Sequence, residues 1–312
     1  MIFINEFSEG LQIVDGIYLV NGVTKGKTNS GADYLSINIK DKTSEIDTKL
    51  WSVSPEQLES IKAGCFIKIK GNVISYRDQL QMKLDDVEVV EGKDLNLDNF
   101  IKTAPLNREE LSTQLKSYVN LINDDIIKSI VVKILTMYRE DQYDYPAASK
   151  NHHAYHGGLM YHTISMLNIA NALASLYPEI DTDYLFSGII LHDLGKIEEL
   201  SGVVATEYTT KGKLVGHISI LHAQVCLVAK ELGCEESEQV MLLEHMILAH
   251  HGKLEYGSPV LPMTREAELI NLIDNIDARM DTLRKVYDGL EEGEFSPRVF
   301  SLENRTFYKQ KK

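Results

Sequence analysis

The chain contains few cysteines and no long apolar segment. Its 312 residues include only three cysteines, Cys65, Cys226 and Cys234, and no two of them form a C-x-x-C pair. An odd number of separated cysteines is typical of a reducing compartment, where disulfides are rare. No apolar run approaches the roughly 20 residues that a membrane helix requires. Residues 1–9 also lack the basic start of a signal peptide, so we expect a cytoplasmic protein.

Positive charge is scarce as well. The sequence has 32 lysines and arginines against 46 aspartates and glutamates, which gives a net charge of −14. Residues 1–92 alone hold 10 basic and 14 acidic side chains. This excess of acid argues against a general electrostatic attraction to nucleic acid. Any contact with a strand must therefore come from a local basic groove, from base stacking or from metal ions.

The first 92 residues predict a small all-β barrel. Short segments of β-branched and alternating apolar residues indicate five strands: Gln12–Asn21, Tyr34–Ile39, Ile46–Trp51, Phe66–Tyr76 and Gln79–Val90. Between the third and fourth strands, residues 55–64 begin with proline and end with glycine, which indicates a short helix. Five strands with a helix in this place match the order of an OB-fold.

OB-folds bind single strands by stacking bases on exposed aromatic rings beside basic residues. Lys68 and Lys70 alternate with apolar residues, so they lie on the outer face of their strand. An ordinary alternative stays open, in which the aromatic rings belong to the core and the lysines only face solvent. The candidate contacts with nucleic acid are Tyr34, Trp51, Lys68, Lys70, Tyr76 and Arg77.

The pattern changes after the barrel. Residues 93–107 are rich in Asp, Asn and Pro and predict a linker. Beyond it, apolar residues recur at helical spacing, so we predict an all-α domain over 108–312. Residues 202–216, rich in Val, Thr and Tyr, predict a hairpin over the helical core. The predicted helices lie near 108–122, 124–140, 158–177, 181–194, 217–232, 236–250 and 264–287.

Histidines and aspartates recur on the apolar helices of this second part. Neutral imidazole is a good ligand for first-row transition metals, and a carboxylate can bridge two of them. A helical bundle turns the inward faces of separate helices toward one point. If these side chains were merely buried, each would need its own hydrogen-bond partner. The pattern therefore predicts a metal centre from His162, His192, Asp193, His217, His250, His251 and Asp274.

These residues resemble a known superfamily. The order His162, His192-Asp193 and Asp274 resembles the HD-domain metal-dependent phosphohydrolases, and the additional histidines resemble their two-metal branch. The barrel, the local sequence from Leu191 to Lys196, and the histidine-rich stretch 152–156 are similar to the YhaM-type 3′–5′ exoribonucleases of Gram-positive bacteria. This resemblance covers essentially the whole chain.

The resemblance implies two metal ions, with manganese expected first and cobalt, iron, nickel or zinc as alternatives. Asp277 rivals Asp274 because the two share a helix face; we keep Asp274 as the ligand and expect Asp277 to be a supporting or solvent residue. Lys196 would clamp a phosphate, with a surface lysine after a glycine as the alternative. His152, His153 and His156 would hold the scissile or terminal phosphate, with an ordinary polar loop as the alternative. The implied ligands are His162, His192, Asp193 and Asp274 for one ion, and Asp193, His217, His250 and His251 for the other.

The function implied by the resemblance is 3′–5′ hydrolysis of single-stranded RNA to nucleoside 5′-monophosphates. A hydroxide activated by two metals at the catalytic Asp193 would attack the phosphodiester. Two points stay open: single-stranded DNA as a second substrate, and assembly of the chain into a homo-oligomer. Two other functions remain: a phosphohydrolase of cyclic dinucleotides or nucleoside triphosphates, and a strand-binding module without catalysis. The barrel favours a polymeric substrate over the former, and the complete set of ligands disfavours the latter.

Overall fold

The computed structural model describes residues 1–28, 30–51, 53–77, 79–92, 95–139, 141–148, 153, 155–204 and 206–311. The chain divides into two compact units, Met1–Thr103 and Ala104–Lys312. The first unit is a closed β-barrel and the second is helical, so the predicted fold class is confirmed. Among the described residues, no helix combines the length and apolar character needed to cross a membrane.

The barrel has the strand order β1-β2-β3-β5-β4 and closes between β4 and β1. Strands β3 and β5 run parallel, and all other neighbours are antiparallel. Between β3 and β4 lies α1 (Pro55–Ser60), which begins at the N-cap Ser54. The strands are β1 (Gln12–Lys27), β2 (Asp33–Lys40), β3 (Glu45–Leu50), β4 (Phe66–Tyr76) and β5 (Gln79–Val90).

Alternation along each strand builds the barrel core. In β2, Leu35, Ile37 and Ile39 are fully buried, while the residues between them face outward. Strand β1 is longer than predicted because its second half, after a register shift near Gly22, still pairs with β2. Aromatic packing extends this unit past β5, where Phe100 lies edge-on to Phe66 with ring centroids 4.9 Å apart. Residues 95–103, inside the predicted linker, therefore belong to the barrel unit.

The helical unit is arranged around α5 (Thr182–Leu191), which contacts α2, α3, α4, α9 and α10. Gly188 on α5 permits this packing, because a Cβ atom there would lie 2.4 Å from Ile270 Cδ1. The other helices are α2 (Arg108–Leu121), α3 (Asp125–Tyr138), α4 (Gly158–Ala174), α6 (Lys196–Glu199), α7 (Thr210–Val215), α8 (His217–Leu232), α9 (Glu238–Ala249) and α10 (Arg265–Asp288).

The hairpin predicted over 202–216 is wrong. Its C-terminal part forms α7, and the only pairing recorded here among the described residues is an isolated bridge between Leu200 and Tyr208. The helix forms because the hydroxyl of Thr209 caps it by accepting from the amide of Gly212. Gly212 also lies against the carbonyl of Glu199, a close approach that only glycine permits.

Gly71 should be required for the barrel. A Cβ atom at this position would lie 2.3 Å from the carbonyl oxygen of Lys83 on β5, and main-chain atoms in a closed barrel cannot move aside. We expect Gly71→Ala to lower the free energy of unfolding of the barrel by about 1–3 kcal/mol. Urea unfolding followed by fluorescence measures this directly, because Trp51, the only tryptophan in the sequence, lies in this unit. The matched control is Gly22→Ala, where no atom lies within 4 Å of the added carbon. Equal stability of the two variants would contradict the prediction.

Candidate metal centre

Five segments of the helical unit bring the predicted ligands together. Helix α4 carries His162, and His192 and Asp193 follow the end of α5. The remaining ligands lie at the start of α8 (His217), just after α9 (His250 and His251) and midway along α10 (Asp274).

Asp193 lies at the centre of this group. Its side chain is buried, with 2% of the residue exposed. Its Oδ2 atom lies 3.3 Å from Nε2 of His192 and 4.0 Å from Nε2 of His162. Its Oδ1 atom lies 3.5 Å from Nε2 of His217 and 3.7 Å from Nε2 of His250. One carboxylate therefore faces two different groups of imidazoles, one on each oxygen.

The two groups form adjacent ligand sets that share Asp193. In the first, ligand atoms of His162, His192 and Asp193 lie within 4.8 Å of one another, and Asp274 Oδ1 lies 3.2 Å from His162 Nε2. In the second, the same limit holds for Asp193 with all three remaining histidines, His217, His250 and His251. This is the division of ligands that the sequence analysis expects.

Main-chain carbonyls orient three of the imidazoles. A carbonyl only accepts, so the ring nitrogen that contacts it must carry the hydrogen. The other ring nitrogen, Nε2, then presents its lone pair to the centre. The three bonds are each 2.7 Å long and run from Nδ1 of His192 to Ile189, of His250 to Ile247 and of His251 to Tyr256.

Buried carboxylates orient the other two imidazoles. Nδ1 of His162 donates to Asp277 Oδ2 at 2.7 Å, and Nδ1 of His217 donates to Glu199 Oε1 at 3.0 Å. Asp277 thus takes the supporting position rather than that of a solvent residue. The sequence analysis did not identify Glu199, because nothing in the pattern separates it from the adjacent Glu198.

The cluster leaves several buried polar atoms without a hydrogen bond to any described residue. These atoms are Nε2 of His192, His217 and His250, and Oδ1 of Asp193. Such atoms are rare in folded proteins, and four in one place call for a ligand. Imidazole nitrogens around a shared carboxylate suit divalent first-row metals. The residues therefore fit two such cations.

The electrostatics of the cluster also suit cations. Burial, helped by neighbouring imidazoles, lowers the pKa of His250 well below its ordinary value and keeps the ring neutral, as a ligand must be. Burial alone would raise the pKa of Asp193, but Lys196 and the adjacent imidazole of His192 lower it well below the usual range. Burial would lower the pKa of His162, but Asp274 and Asp277 raise it to about 10. A cation that binds Nε2 of His162 must therefore displace a proton.

Comparison with known proteins gives the family. A family model described as HD domain matches residues 159–279, and one described as OB-fold nucleic acid binding domain matches residues 18–90. A third, whose description names a helicase, matches residues 98–178. The 3′–5′ exoribonuclease YhaM of Geobacillus sp. (strain WCH70) is 41% identical over 297 residues, covering 95% of this chain and 91% of that protein. This chain belongs to the YhaM family.

Two further relatives of the same name agree with this assignment. YhaM of Bacillus subtilis is 41% identical, covering 95% of this chain and 94% of that protein. YhaM of Shouchella clausii is 42% identical, covering 96% and 93%. Among solved structures, a domain of replication protein A from Methanococcus maripaludis covers 29% of this chain and 94% of its own at 22% identity. Its TM-score is 0.24, too low to carry an argument.

In this YhaM family member, two of the histidines predicted to hold a phosphate, His153 and His156, contact other side chains instead. His153 is 1% exposed; its Nε2 donates to Asp277 at 2.7 Å and its Nδ1 lies 2.6 Å from the hydroxyl of Tyr155. Nε2 of His156 lies 3.1 Å from Asp144. The third, His152, lies outside the described residues. His153 therefore supports Asp277, which in turn orients His162.

A cleft of about 560 Å³ opens onto the cluster. Lys196 lines it, with Nζ 2.6 Å from Asp193 Oδ2 and 12% of the side chain exposed. Arg279 lines it too, held by two hydrogen bonds of 2.8 and 2.9 Å to Glu303. Arg279 was not predicted, because nothing in the local sequence distinguishes it from an ordinary solvent-facing arginine on a helix. The lining also includes His217, His251, Asp274, Tyr208, Tyr256 and Asn275.

In the barrel, Tyr34 and Trp51 form an aromatic pair on the outer face. Their ring centroids are 4.9 Å apart, and 43% of Trp51 is exposed. The ring of Tyr34 lies across Gly26 on β1, where any Cβ atom would collide with it. Lys49 places its ammonium 5.4 Å from the centroid of Tyr34. The pair offers stacking surface beside a positive charge.

The other predicted barrel contacts lie elsewhere. Tyr76 is 53% exposed at the β4–β5 turn, and the guanidinium of Arg77 lies 5.3 Å from its ring centroid. Lys68 and Lys70 lie on β4, a different strand from those of the aromatic pair. Their cross-strand neighbours on β5 are acidic, Glu88 and Asp86, and Lys68 also lies 3.1 Å from Asp15. Acidic neighbours therefore offset the charges of both lysines.

Asp277 should control metal affinity without being a ligand. Its carboxylate accepts from His162, from His153 and from the hydroxyl of Ser165, and an amide at this position would replace one acceptor by a donor. We expect Asp277→Asn to weaken manganese binding by about 10–100-fold. Calorimetric titration of the metal-free protein measures the change. The control is Asp288→Asn, an exposed position on the same helix. Unchanged affinity in Asp277→Asn would contradict the proposed orienting role.

Proposed function

We propose that this protein is a metal-dependent 3′–5′ exoribonuclease that hydrolyses single-stranded RNA to nucleoside 5′-monophosphates. The observation that carries the proposal is the convergence of five imidazoles on one buried carboxylate beneath a polar cleft. The relatives named 3′–5′ exoribonuclease YhaM supply the direction of digestion and the preference for RNA. We further propose manganese as the metal, since ligands of this kind accept several divalent ions and availability selects among them.

The side chains of the cluster divide into two binding sets. His162, His192 and Asp274 would hold one cation, and His217, His250 and His251 the other, with Asp193 shared between them. When bound, the cations supply an activated hydroxide and neutralise charge on the phosphate. Hydrogen bonds to main-chain carbonyls and buried carboxylates fix the orientation of the five imidazoles, so binding requires little rearrangement of the protein apart from loss of the His162 proton.

Lys196 and Arg279 are proposed to bind the phosphate. An ammonium has three N–H donors, and Lys196 uses one of them on Asp193. The others can reach a phosphate oxygen in the cleft. Arg279 on α10 uses one N–H of each terminal nitrogen on Glu303, and a guanidinium has five N–H donors, so the remaining ones could bind a phosphate oxygen in the cleft. Together they would fix the scissile group over Asp193.

The cleft has the size of a small-ligand site, which fits one terminal nucleotide with its neighbour. Tyr208 and Tyr256 in its lining can stack against a base. A site that admits only the end of a strand would release mononucleotides one at a time. We therefore propose that the enzyme cleaves from the end of the strand rather than internally.

The barrel is proposed to hold the rest of the strand. Tyr34 and Trp51 provide two adjacent rings, and stacking on an aromatic ring accepts any base. Stacking does not read the 2′-hydroxyl, so we extend the proposal to binding of single-stranded DNA. The acidic surface and the long helices would permit a homo-oligomer, which stays a prediction.

Asp193→Ala should abolish the activity. The substitution removes the carboxylate shared by both ligand sets, so we expect no metal-dependent release of mononucleotides while the fold is retained. Incubation with Mn²⁺ and 5′-labelled single-stranded RNA measures this as a descending ladder of products. Circular dichroism of the variant provides the control for folding. A ladder formed at the wild-type rate by Asp193→Ala would remove the mechanism. Absence of a ladder in the wild type, together with hydrolysis of a cyclic dinucleotide, would favour the small-nucleotide alternative.

The aromatic pair should contribute to the binding of long strands but not to the hydrolysis of a short substrate. Loss of one stacking ring costs about 1–3 kcal/mol per base. We therefore expect Tyr34→Ala and Trp51→Ala each to weaken binding of a long single-stranded RNA by about tenfold or more. Hydrolysis of bis-p-nitrophenyl phosphate, which has no nucleotide chain for the aromatic pair to hold, should stay unchanged.

Fluorescence anisotropy with a labelled oligonucleotide measures the affinity. Lys68→Ala is the matched barrel control, because acidic neighbours already offset that charge. If both aromatic variants bind RNA as the wild type does, the pair has no role in the strand contact. If they lose activity on both substrates equally, the pair is structural.

A further inference from the structure

A second group of metal-ligating side chains lies on α8 and α9, apart from the cluster around Asp193. His222 and Cys226 are four residues apart on α8, so they share one face of that helix. Glu244 faces them from α9. One ligand atom from each of the three lies within 4.8 Å of the others. The hydrolytic mechanism uses none of these residues.

The distances within this group match those around a tetrahedral cation. Sγ of Cys226 lies 3.0 Å from Glu244 Oε1 and 3.8 Å from His222 Nε2. Nε2 of His222 lies 3.9 Å from Glu244 Oε2. Ligand atoms bound to one tetrahedral zinc ion are about 3.3–3.6 Å apart, given the usual zinc–ligand bond lengths. The 3.0 and 3.9 Å distances involve different oxygens of Glu244, so small side-chain adjustments would bring one oxygen, the sulfur and the nitrogen around one ion.

Charge and exposure at this position also suit a cation. Cys226 and His222 are the only partners of the Glu244 carboxylate among the described residues, so no lysine or arginine there neutralises it. The side chains of His222 and Glu244 are 32% and 26% exposed, which leaves access for an ion and for a water molecule as the fourth ligand. Burial and the neighbouring Glu244 raise the pKa of the Cys226 thiol to about 11. Without a cation the thiol thus donates to the carboxylate, and a bound metal would take the place of that proton.

We propose that His222, Cys226 and Glu244 bind a single zinc ion. A thiolate ligand selects zinc over manganese, magnesium and calcium, which prefer oxygen ligands. The cluster around Asp193 contains only imidazoles and carboxylates. One chain would therefore hold two kinds of metal site that differ in ligand chemistry.

The ion would join the two helices that deliver the ligands of the hydrolytic site. His217 begins α8, five residues before His222, and His250 follows α9, six residues after Glu244. A bond across α8 and α9 limits the sliding of one helix along the other. The zinc site is therefore a positioning device for His217 and His250 and takes no part in the reaction itself.

Cobalt substitution of the full-length protein tests the site. A thiolate bound to Co²⁺ gives a charge-transfer band in the near ultraviolet, which imidazole and carboxylate ligands do not give. We expect the band in the wild type and in Cys234→Ser, and its complete loss in Cys226→Ser. Serine keeps a hydrogen bond to Glu244, so the variant retains the contact between the helices and lacks only the sulfur. Cys234 lies just after the same helix and provides the matched control.

Zinc content separates this site from the hydrolytic one. We expect Asp193→Ala to keep one tightly bound zinc ion per chain, and His222→Ala and Glu244→Gln to weaken zinc binding by about tenfold or more. Added zinc should raise the melting temperature of Asp193→Ala, which lacks the carboxylate shared by the hydrolytic ligand sets, but not that of the double variant Asp193→Ala/Cys226→Ser. A wild type without the cobalt band, or a band that persists in Cys226→Ser, would overturn the proposal. So would loss of all tightly bound zinc in Asp193→Ala.

Discussion

The arrangement of the helical unit depends on one buried negative charge. Asp193 is 2% exposed and faces four imidazoles at 3.3 to 4.0 Å. A carboxylate in such a place is strongly disfavoured unless positive charge compensates it. Lys196 compensates on Oδ2, whereas Oδ1 has no hydrogen-bond donor among the described residues. Bound cations would complete the neutralisation, so we expect metal binding to stabilise the folded unit.

The ends of two helices use the same device to orient ligands. The last four carbonyls of any helix lack an intrahelical partner. In α5 and α9, one of these carbonyls accepts the Nδ1 hydrogen of the histidine that follows the helix: Ile189 for His192 and Ile247 for His250. The helix carbonyl gains a hydrogen-bond donor, and the imidazole gains a fixed tautomer. This explains why both ligands come directly after an apolar helix, where the sequence analysis found them.

The sequence could predict features set by residues close together in the chain, but not those set by contacts between distant residues. The strands of the barrel and the ligand histidines were predictable, because alternation and apolar flanks are local patterns. The supporting residues were not. His153 supports His162 through Asp277, which follows His153 by 124 residues in the chain. No local pattern encodes such a contact. For α7 the cap by Thr209 is a local signal, but the close approach of Gly212 to Glu199, which also favoured a helix over the predicted hairpin, is not.

With the proposed zinc bound, one pair of helices would carry ligands for two metal sites of different ligand chemistry. Helices α8 and α9 place imidazoles toward Asp193 at one end and a thiol, an imidazole and a carboxylate together farther along. Oxygen and nitrogen ligands around the shared aspartate accept many divalent ions, so that site takes whichever metal is available. A sulfur ligand narrows the choice at the other site. Because the same two helices carry both sets, a metal chosen by the thiolate would hold the spacing within which the less selective site binds its own ions.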